Sequence, residues 1–179
     1  MIKIEKRGYL GIDESNHGRF PEIYVGVFSL NECSIRPGKY AKKRKKKRIE
    51  NILDPAEDYK HLIIKQGYRD IFGGRGIKII ALAEIIGSFK NLNRIIFDGF
   101  LDQKELMNLE RILYPINIDL HTESDADRHF KIVSKADQIA YRLYNYYTNQ
   151  FNINNKKKYI GTLIDLDIKK YLKYIPIFE

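Results

Sequence analysis

The stretch GYLGIDESNHGRFPEIYVGVFS, residues 8–29, contains two apolar, β-prone runs separated by a short polar segment. GYLGID predicts a first strand, FPEIYVGVFSL predicts a second, and HGRF predicts a short hairpin connection between them. Two adjacent carboxylates, Asp13 and Glu14, stand at the end of the first strand. Since charged groups next to buried structure are costly unless they are paired, a bound cation is one reason for this arrangement.

The rest of the chain alternates between strand patterns and helix patterns. Further strands are predicted by KHLIIK, NRIIFDGF and INIDLH. Helices are predicted by GIKIIALAEIIGSF, QKELMNLERIL and KIVSKADQIAYRLYNYYTNQ. Asp102 and Glu105 predict a capping box for the second helix, and the third has an apolar stripe of Ile132, Ala136, Ile139 and Leu143. The order β-β-β-α-β-α-β-α predicts an α/β protein with a mixed five-stranded sheet, its first three strands antiparallel, and helices on both faces.

Composition limits the architecture. The 179 residues are 44% hydrophobic, which is enough for one well-packed core, so we expect a single domain over residues 1–179. The single cysteine, Cys33, excludes an internal disulfide and a cysteine zinc cluster, and it fits a reducing, cytoplasmic location. The longest apolar stretch, IKIIALAEIIGSF, is short and contains Glu84, so we expect no membrane span.

The formal net charge of +9 comes from one segment. Residues 33–49, CSIRPGKYAKKRKKKRI, are rich in lysine and arginine and contain no acid, whereas basic and acidic residues balance elsewhere. We therefore expect a basic insertion at about 34–50, and a tyrosine- and lysine-rich tail at about 150–179. The charge run predicts a nucleic-acid partner, and the alternative is a solvated loop that only keeps the protein soluble. The predicted contacts are Lys42, Lys43, Arg44, Lys45, Lys46, Lys47 and Arg48.

Further carboxylates follow the other predicted strands. Asp98 ends the fourth strand, Asp127 follows the fifth, and Asp137 lies in the first turns of the last helix. The order of elements resembles the ribonuclease H-like fold, in which strands one and four are neighbours, so that their acidic ends converge. Such oxygen clusters suit Mg²⁺ or Mn²⁺, and a two-metal site of this kind hydrolyses phosphodiesters. The candidate catalytic and metal-binding set is Asp13, Glu14, Asp98, Asp127 and Asp137.

Each acid also has a purely structural explanation. Asp13 is suited to cap a turn after the first strand, with Glu14 solvated beside it. Asp98 followed by Gly99 is a common turn dipeptide. Asp127 is an ordinary acid at the start of a helix.

Three motifs resemble type 2 ribonuclease H. GIDES with Gly18 is similar to the opening Asp-Glu motif of that family, and IIFDG is similar to its second aspartate. SDADRHFKIVSKADQIA is similar to its final segment. The resemblance implies a nuclease acting on RNA or RNA–DNA hybrid, with Asp13, Glu14, Asp98 and Asp127 as metal ligands.

The chain departs from that family after the Asp-Glu pair. Where the family has Ala-Gly-Arg-Gly, this sequence has Ser15, Asn16, His17 and Gly18, and the family's Asp-Ser-Lys motif is absent. DESNHG and KADQIAYRL also resemble uncharacterised ribonuclease H-like proteins of prokaryotes and phages, which begin with Asp-Glu-Ser-Gly. This second resemblance implies that Asp137, not Asp127, is the last ligand, and the residues leave both possibilities open.

Two other stretches offer phosphate contacts. FGGRGIK, residues 72–78, places three glycines and Arg75 before a predicted helix, and the alternative is a flexible turn. It lacks the spacing of a phosphate-binding loop that ends in Gly-Lys-Ser/Thr, so we expect no nucleotide cofactor. Asn16, His17 and Gly18 lie beside the acids and are suited either to a phosphate or to a turn.

The sequence therefore favours a metal-dependent nuclease of RNA or RNA–DNA hybrid. The alternative is a nucleic-acid-binding protein with the same fold that no longer cuts. A third hypothesis is an acidic site with another substrate or a structural role.

Overall fold

The structure, a computed structural model, describes residues 7–15, 19–40, 48–149 and 159–178. Its strands are β1 (Gly8–Ser15), β2 (Glu22–Ser29), β3 (Glu57–Ile64), β4 (Leu92–Asp98), β5 (Leu120–Glu123) and β6 (Leu163–Ile164). Among the described residues they form one sheet in the order β5-β4-β1-β2-β3-β6. β1, β2 and β3 are antiparallel, whereas β4 and β5 add to β1 in parallel, as the order of elements predicted.

The predicted count of five strands was wrong, because the C-terminal tail contributes β6. This two-residue strand pairs in parallel with His61 and Leu62 of β3. It is too short to produce a period-2 pattern that the sequence could reveal. The predicted position of β5 was also too early in the chain, since INIDLH starts at Ile116. Pairing with β4 begins at Asp119, whose carbonyl accepts from Ile95 N–H at 2.8 Å.

A buried histidine holds the tail against the sheet. His61 Nε2 lies 2.8 Å from the Tyr147 hydroxyl, and its Nδ1 lies 3.2 Å from Oγ1 of Thr162, just before β6. Burial lowers the pKa of His61 to about 4, so the ring is neutral at physiological pH. The neutral ring therefore joins the last helix of the main body to the tail without carrying a charge into the core.

The helices cover both faces of the sheet, as predicted. They are α1 (Tyr68–Gly87), α2 (Gln103–Leu113), α3 (Ala126–His129), α4 (Lys131–Asn149) and α5 (Ile175–Phe178). The predicted capping box of α2 is present: Glu105 N–H donates to Asp102 Oδ1 at 2.8 Å, and Asp102 N–H donates to Glu105 Oε2 at 2.9 Å. No helix within the described part of the chain is long and apolar enough to cross a bilayer.

The alternation of side chains along the strands divides the core in two. Leu10 and Ile12 of β1 pack with α1 on one face. Val25 and Val27 of β2 pack on the other face with the predicted stripe of α4, all of which is buried. Residues that are adjacent in β1 therefore face different helices.

The FGGRGIK stretch lies within α1, and the predicted turn before the buried helix is present only as a kink at Gly73, between two helical segments. The helix begins at Tyr68 and is interrupted at Gly73, whose φ of 69° and ψ of 168° are non-helical. Glycine adopts this positive φ without the strain that a side chain would introduce. The interruption leaves a short first segment of α1 at the edge of the sheet where β3 ends.

The start of α4 crosses directly over β1 at Gly11. A Cβ at this position would lie 2.7 Å from Ile132 Cγ2, 2.8 Å from the Ile132 carbonyl carbon and 2.9 Å from Val133 N. Two of these atoms belong to the backbone of α4, which cannot move aside as a side-chain tip can. Glycine at this point is therefore what allows the helix to lie so close to the strand.

We expect Gly11→Ala to destabilise the protein by about 1–3 kcal/mol, because α4 must shift away from β1. The measurement is chemical denaturation of the variant beside wild type. Gly87→Ala is the matched control, since an added Cβ at the end of α1 meets no described atom within 4 Å. It should be neutral or stabilising by up to about 1 kcal/mol. Equal stability of the Gly11 variant and wild type would contradict the close contact.

Candidate active site

The acidic ends of β1 and β4 meet at one edge of the sheet. β1, β3, β4 and β5 all run toward this edge, which we call the carboxyl edge. Ile12 of β1 is in register with Phe97 of β4, so the next residue of each strand is Asp13 and Asp98 respectively. The convergence predicted for these two acids is thus a direct result of parallel pairing.

Asp98 is linked to the segment that carries Asp127. The backbone N–H of Ala126, at the start of α3, donates to Asp98 Oδ1 at 3.2 Å. Asp127 follows immediately and is buried, with 3% of its surface exposed. The hydrogen bond therefore holds the first turn of α3 against the end of β4, and Asp127 with it.

α4 brings the fourth aspartate to the same place. Asp13 lies on the face of β1 that also presents Gly11, because side chains alternate along a strand. Asp137 follows Val133, the residue that touches Gly11, by one helical turn and is half-buried. Asp137 thus lies above the end of β1, close enough to influence the charge of Asp13.

The electrostatics show that these four carboxylates share one environment. The pKa of Asp13 is raised well above its usual value, first by burial and then by the negative charges of Asp137, Asp98 and, least of all, Asp127. A hydrogen bond from the backbone N–H of Glu14 acts in the opposite direction and is smaller than the effect of burial. We call Asp13, Asp98, Asp127 and Asp137 the aspartate cluster. Both candidates for the last ligand, Asp127 and Asp137, belong to it.

Glu14 is placed differently. It pairs across the hairpin with Tyr24, whose ring packs in the α1 core, so its side chain lies on the face opposite Asp13. Burial, the charge of Glu22 and a hydrogen bond to Glu22 raise the pKa of Glu14 to about 7. A hydrogen bond between two carboxyl groups requires a proton, so Glu14 is substantially protonated near neutral pH.

Arg69 completes this second acidic group. Its Nε donates to Glu22 Oε2 at 2.9 Å and its Nη2 donates to Glu22 Oε1 at 2.7 Å. The Tyr24 hydroxyl donates to the same carboxylate at 3.1 Å. The bidentate pair fixes the first turn of α1 to the start of β2. The structure thus separates Glu14 from the aspartate cluster and joins it to Glu22, Tyr24 and Arg69.

Solved structures with a similar fold include two archaeal ribonucleases H. The chain matches RNase HII of Archaeoglobus fulgidus, in a structure of its complex with PCNA, at 16% identity with a TM-score of 0.56, covering 94% of this chain and 87% of that one. It matches the ribonuclease H2 of Pyrococcus horikoshii OT3 at 15% identity with a TM-score of 0.53, covering 92% and 84%. The chain has the ribonuclease H-like fold.

A third ribonuclease H-like structure contains a metal. Bst-RNase HIII in complex with Mn²⁺ matches at 16% identity with a TM-score of 0.53, and the match covers 83% of this chain and 55% of that one. No protein-family model matches the sequence, and no curated protein does. At these sequence identities, the structural similarity to ribonucleases H establishes the fold alone.

The aspartate cluster fits a divalent cation in charge and in donor chemistry. Its donors are all carboxylate oxygens, which hard cations such as Mg²⁺ and Mn²⁺ prefer. A cation would also remove the repulsion that raises the pKa of Asp13. Within the described ranges, however, no three histidine, cysteine, aspartate or glutamate side chains are arranged to coordinate one ion as they stand. The acids share an electrostatic environment without forming a closed coordination group.

The predicted nucleic-acid contacts are only partly described. Asn16, His17 and Gly18, and Lys42 to Lys47, lie outside the described residues. Arg48 is exposed beside a 3-10 turn. Arg75 lies just after the interruption of α1, with Nη1 3.7 Å from Asp102 Oδ2 and 70% of its side chain exposed.

The residues just before the lysine and arginine run, 37–40, are held beside the aspartate cluster. Gly38 N–H donates to His129 O, and Tyr40 N–H donates to Arg128 O, both at 2.8 Å. Pro37 forms a β-bridge with Phe130. Residue 40 is thereby held within a few residues of Asp127, immediately before the lysine and arginine run begins.

The pairings within two groups at this edge were not predicted from the sequence. Glu22 and Arg69 are separated by 47 positions, and their pairing depends on where α1 begins. Glu123 forms hydrogen bonds with His121, at 3.0 Å, and with His129. These bonds lower the pKa of Glu123. The period-2 pattern of LHTE is a signal that could have placed His121 and Glu123 on one face, but not His129.

We expect Asp13→Asn to stabilise the protein at pH 7 without divalent cations. The raised pKa means that folding favours protonated Asp13, so its stabilising contribution is complete below the unfolded pKa and is lost as pH rises through the folded value. Asparagine keeps the neutral form at all pH values, which predicts a gain of about 0.5–2 kcal/mol. The measurement is the unfolding midpoint in EDTA.

Addition of Mg²⁺ should then stabilise wild type more than Asp13→Asn. Asp119→Asn is the matched control, because Asp119 lies before β5 at the opposite edge and its side chain is 68% exposed. A destabilised Asp13 variant, or equal stabilisation of both proteins by Mg²⁺, would contradict a cation site at the aspartate cluster.

We expect Glu14→Gln to reduce the loss of stability that wild type shows as pH rises. The folded pKa of about 7 lies above the ordinary value of 4.5, so the contribution of Glu14 is present below about pH 4.5 and is lost through pH 7. The difference between the two stability profiles should be roughly 1–3 kcal/mol from about pH 5 to about pH 8. Denaturation across this range measures it, and parallel profiles would exclude the shared proton.

Proposed function

We propose that this protein is a metal-dependent endonuclease that hydrolyses phosphodiester bonds in RNA or RNA–DNA hybrid, with Mg²⁺ or Mn²⁺ as cofactor. One observation carries the proposal: four aspartates from β1, β4, α3 and α4 converge at the carboxyl edge, where burial and then the negative charges of the other three raise the pKa of Asp13. Two of the four, Asp13 and Asp127, are buried, and a cluster of aspartates with this burial is typical of a cation site.

In this proposal each aspartate is held by a different element. Asp13 and Asp98 end neighbouring strands, which gives them a fixed separation. Asp127 and Asp137 approach from α3 and α4. Divalent ions bound there would supply an activated water and stabilisation of the leaving oxygen. The Mn²⁺ complex of Bst-RNase HIII, which has a similar fold, supports this choice of cofactor.

Glu14 has a supporting role in the proposal. Its carboxyl group lies with Glu22 and Arg69 on the other face of the sheet, where it ties the end of β1 to α1. We infer that it positions the end of the strand on which Asp13 depends. The resemblance to type 2 ribonuclease H implied that Glu14 is a metal ligand. For that role, the Glu14 side chain would have to turn toward the aspartate cluster when substrate binds.

The basic segment provides the proposed contacts to the phosphate backbone. Two residues in its first part, Gly38 and Tyr40, are hydrogen-bonded to the backbone just after Asp127. Lysine and arginine side chains of this segment would attract the phosphate backbone of the substrate and release its counterions. Arg75, exposed at the same edge, adds a further cation.

A second candidate function is a nucleic-acid-binding protein that has the fold but does not cut. Two observations favour it. The described side chains do not form a ready-made group of three metal ligands. Glu14 is also hydrogen-bonded on the face away from Asp13. In that case the basic segment would keep its role and the aspartate cluster would not.

The decisive experiment is a cleavage assay with labelled RNA–DNA hybrid, single-ribonucleotide duplex, single-stranded RNA and duplex DNA. We expect wild type to cut at least one RNA-containing substrate only when Mg²⁺ or Mn²⁺ is present. Asp13→Asn should reduce the rate by at least about 100-fold, since it removes a ligand and not merely a supporting contact. Asp119→Asn, at the opposite edge, should cut as wild type does.

The two candidates give different results in this assay. Metal-dependent cutting that is lost in Asp13→Asn identifies the nuclease and its substrate. Salt-dependent binding of the same nucleic acids, with no cutting in either metal, identifies the binding protein. Cutting that survives in Asp13→Asn would contradict the role of the aspartate cluster.

A further inference from the structure

An exposed phenylalanine stands two residues beyond Asp98. Phe100 has 70% of its surface exposed, and among the large apolar residues of the described chain only Tyr114 is more exposed, at 83%. Single exposed apolar residues are common and mean little by themselves. Phe100 differs because it lies in the loop between β4 and α2, two residues after Asp98, a proposed metal ligand.

The backbone around Phe100 is held on both sides. Before it, Gly99 N–H donates to Glu123 O at 3.1 Å. At the residue itself, Lys78 Nζ donates to Phe100 O at 3.1 Å. After it, Leu101 is buried and Asp102 begins the capping box of α2. The exposure of the ring is therefore not the result of a loosely attached loop.

Gly99 makes this loop geometry possible. A Cβ at Gly99 would lie 2.6 Å from the ring of Phe97, which is itself buried and has little space to move. The chain therefore turns closely past the Phe97 ring directly after Asp98. The turn buries Leu101 in the core and leaves Phe100 in the solvent at the carboxyl edge.

The position of Phe100 matches the reach of a nucleotide. Two residues of chain span at most about 7 Å, so the Cα atoms of Asp98 and Phe100 are no further apart than this. When the phosphate of a nucleotide lies at Asp98, the base of that nucleotide lies at a similar distance from Asp98. Aromatic side chains next to phosphate sites bind unpaired bases by stacking, and paired bases within a duplex do not offer their faces.

We propose that Phe100 stacks on an unpaired base of the strand whose phosphate lies at the aspartate cluster. The inference rests on the proposed function and gives it a substrate class: nucleic acid that is single-stranded, or locally unpaired, next to the scissile phosphate. Arg75 is exposed nearby and pairs with Asp102, which lies between Phe100 and α2. Lys78, which binds the Phe100 carbonyl, also pairs with Glu105 at 2.7 Å.

The chain offers a direct optical test because it contains no tryptophan. Phe100→Trp introduces a single indole at the proposed stacking position. Its fluorescence is recorded while single-stranded RNA, and the same strand annealed to its complement, are added in Ca²⁺ in place of Mg²⁺. We expect strong quenching by the single strand and weak quenching by the duplex. Tyr114→Trp, on a more exposed site at the end of α2, should be quenched by neither the single strand nor the duplex.

Affinity measurements separate stacking from general apolar contact. Phe100→Ala should weaken binding of the single strand by about 5- to 100-fold. Phe100→Tyr should retain the affinity because it keeps the ring, whereas Phe100→Leu should lose most of it. Tyr114→Ala is the matched control and should bind as wild type. Circular dichroism of each variant shows that the fold is retained.

The outcomes distinguish this inference from the proposed function. If wild type binds and cuts, but Phe100→Ala binds equally well or the indole of Phe100→Trp responds equally to duplex, the stacking role alone is wrong. If wild type binds and stacks without cutting, the nuclease is wrong and the stacking role stands. If wild type binds neither nucleic acid, both proposals fall.

Discussion

The burial of Asp13 beside three other aspartates is the constraint on which the arrangement of this site depends. α4 packs directly onto β1 at Gly11, two residues before Asp13, which is 7% exposed. Without that close contact, Asp13 would be hydrated and its pKa would approach the ordinary value. The packing thus produces an unfavourable electrostatic free energy at one edge of the sheet, and a bound cation would reduce it. Such a cost is typical of functional sites, where stability is given up locally.

Adjacent acids in a strand have separate roles because side chains alternate. Asp13 faces α4 and the aspartate cluster, whereas Glu14 faces α1 and joins Glu22 and Arg69. One Asp-Glu dipeptide therefore contributes to both layers of the protein. The first residue supplies charge to the site. The second fixes the strand that carries it, through a hydrogen bond with Glu22.

The parts of this architecture that are local in sequence could be predicted. The capping box of Asp102 and Glu105, the apolar stripe of α4 and the acidic ends of β1 and β4 each follow from short patterns. The ribonuclease H-like order of elements then predicted that Asp13 and Asp98 would meet. β6 could not be predicted, because its two residues depend on pairing with β3 and not on a pattern of their own. The direction of Glu14 required the register of the hairpin, and the partnership of Glu22 with Arg69 required the starting point of α1.

The hydrogen bonds of His61 have a consequence for how this chain can vary in length. Tyr147 at the end of α4 and Thr162 before β6 both contact the same imidazole, so both ends of the intervening segment are fixed to one point of the sheet. Closing a loop between fixed ends costs only about 0.6 kcal/mol more for each doubling of its length. A longer connection between these two points would therefore add little to the conformational entropy cost of folding.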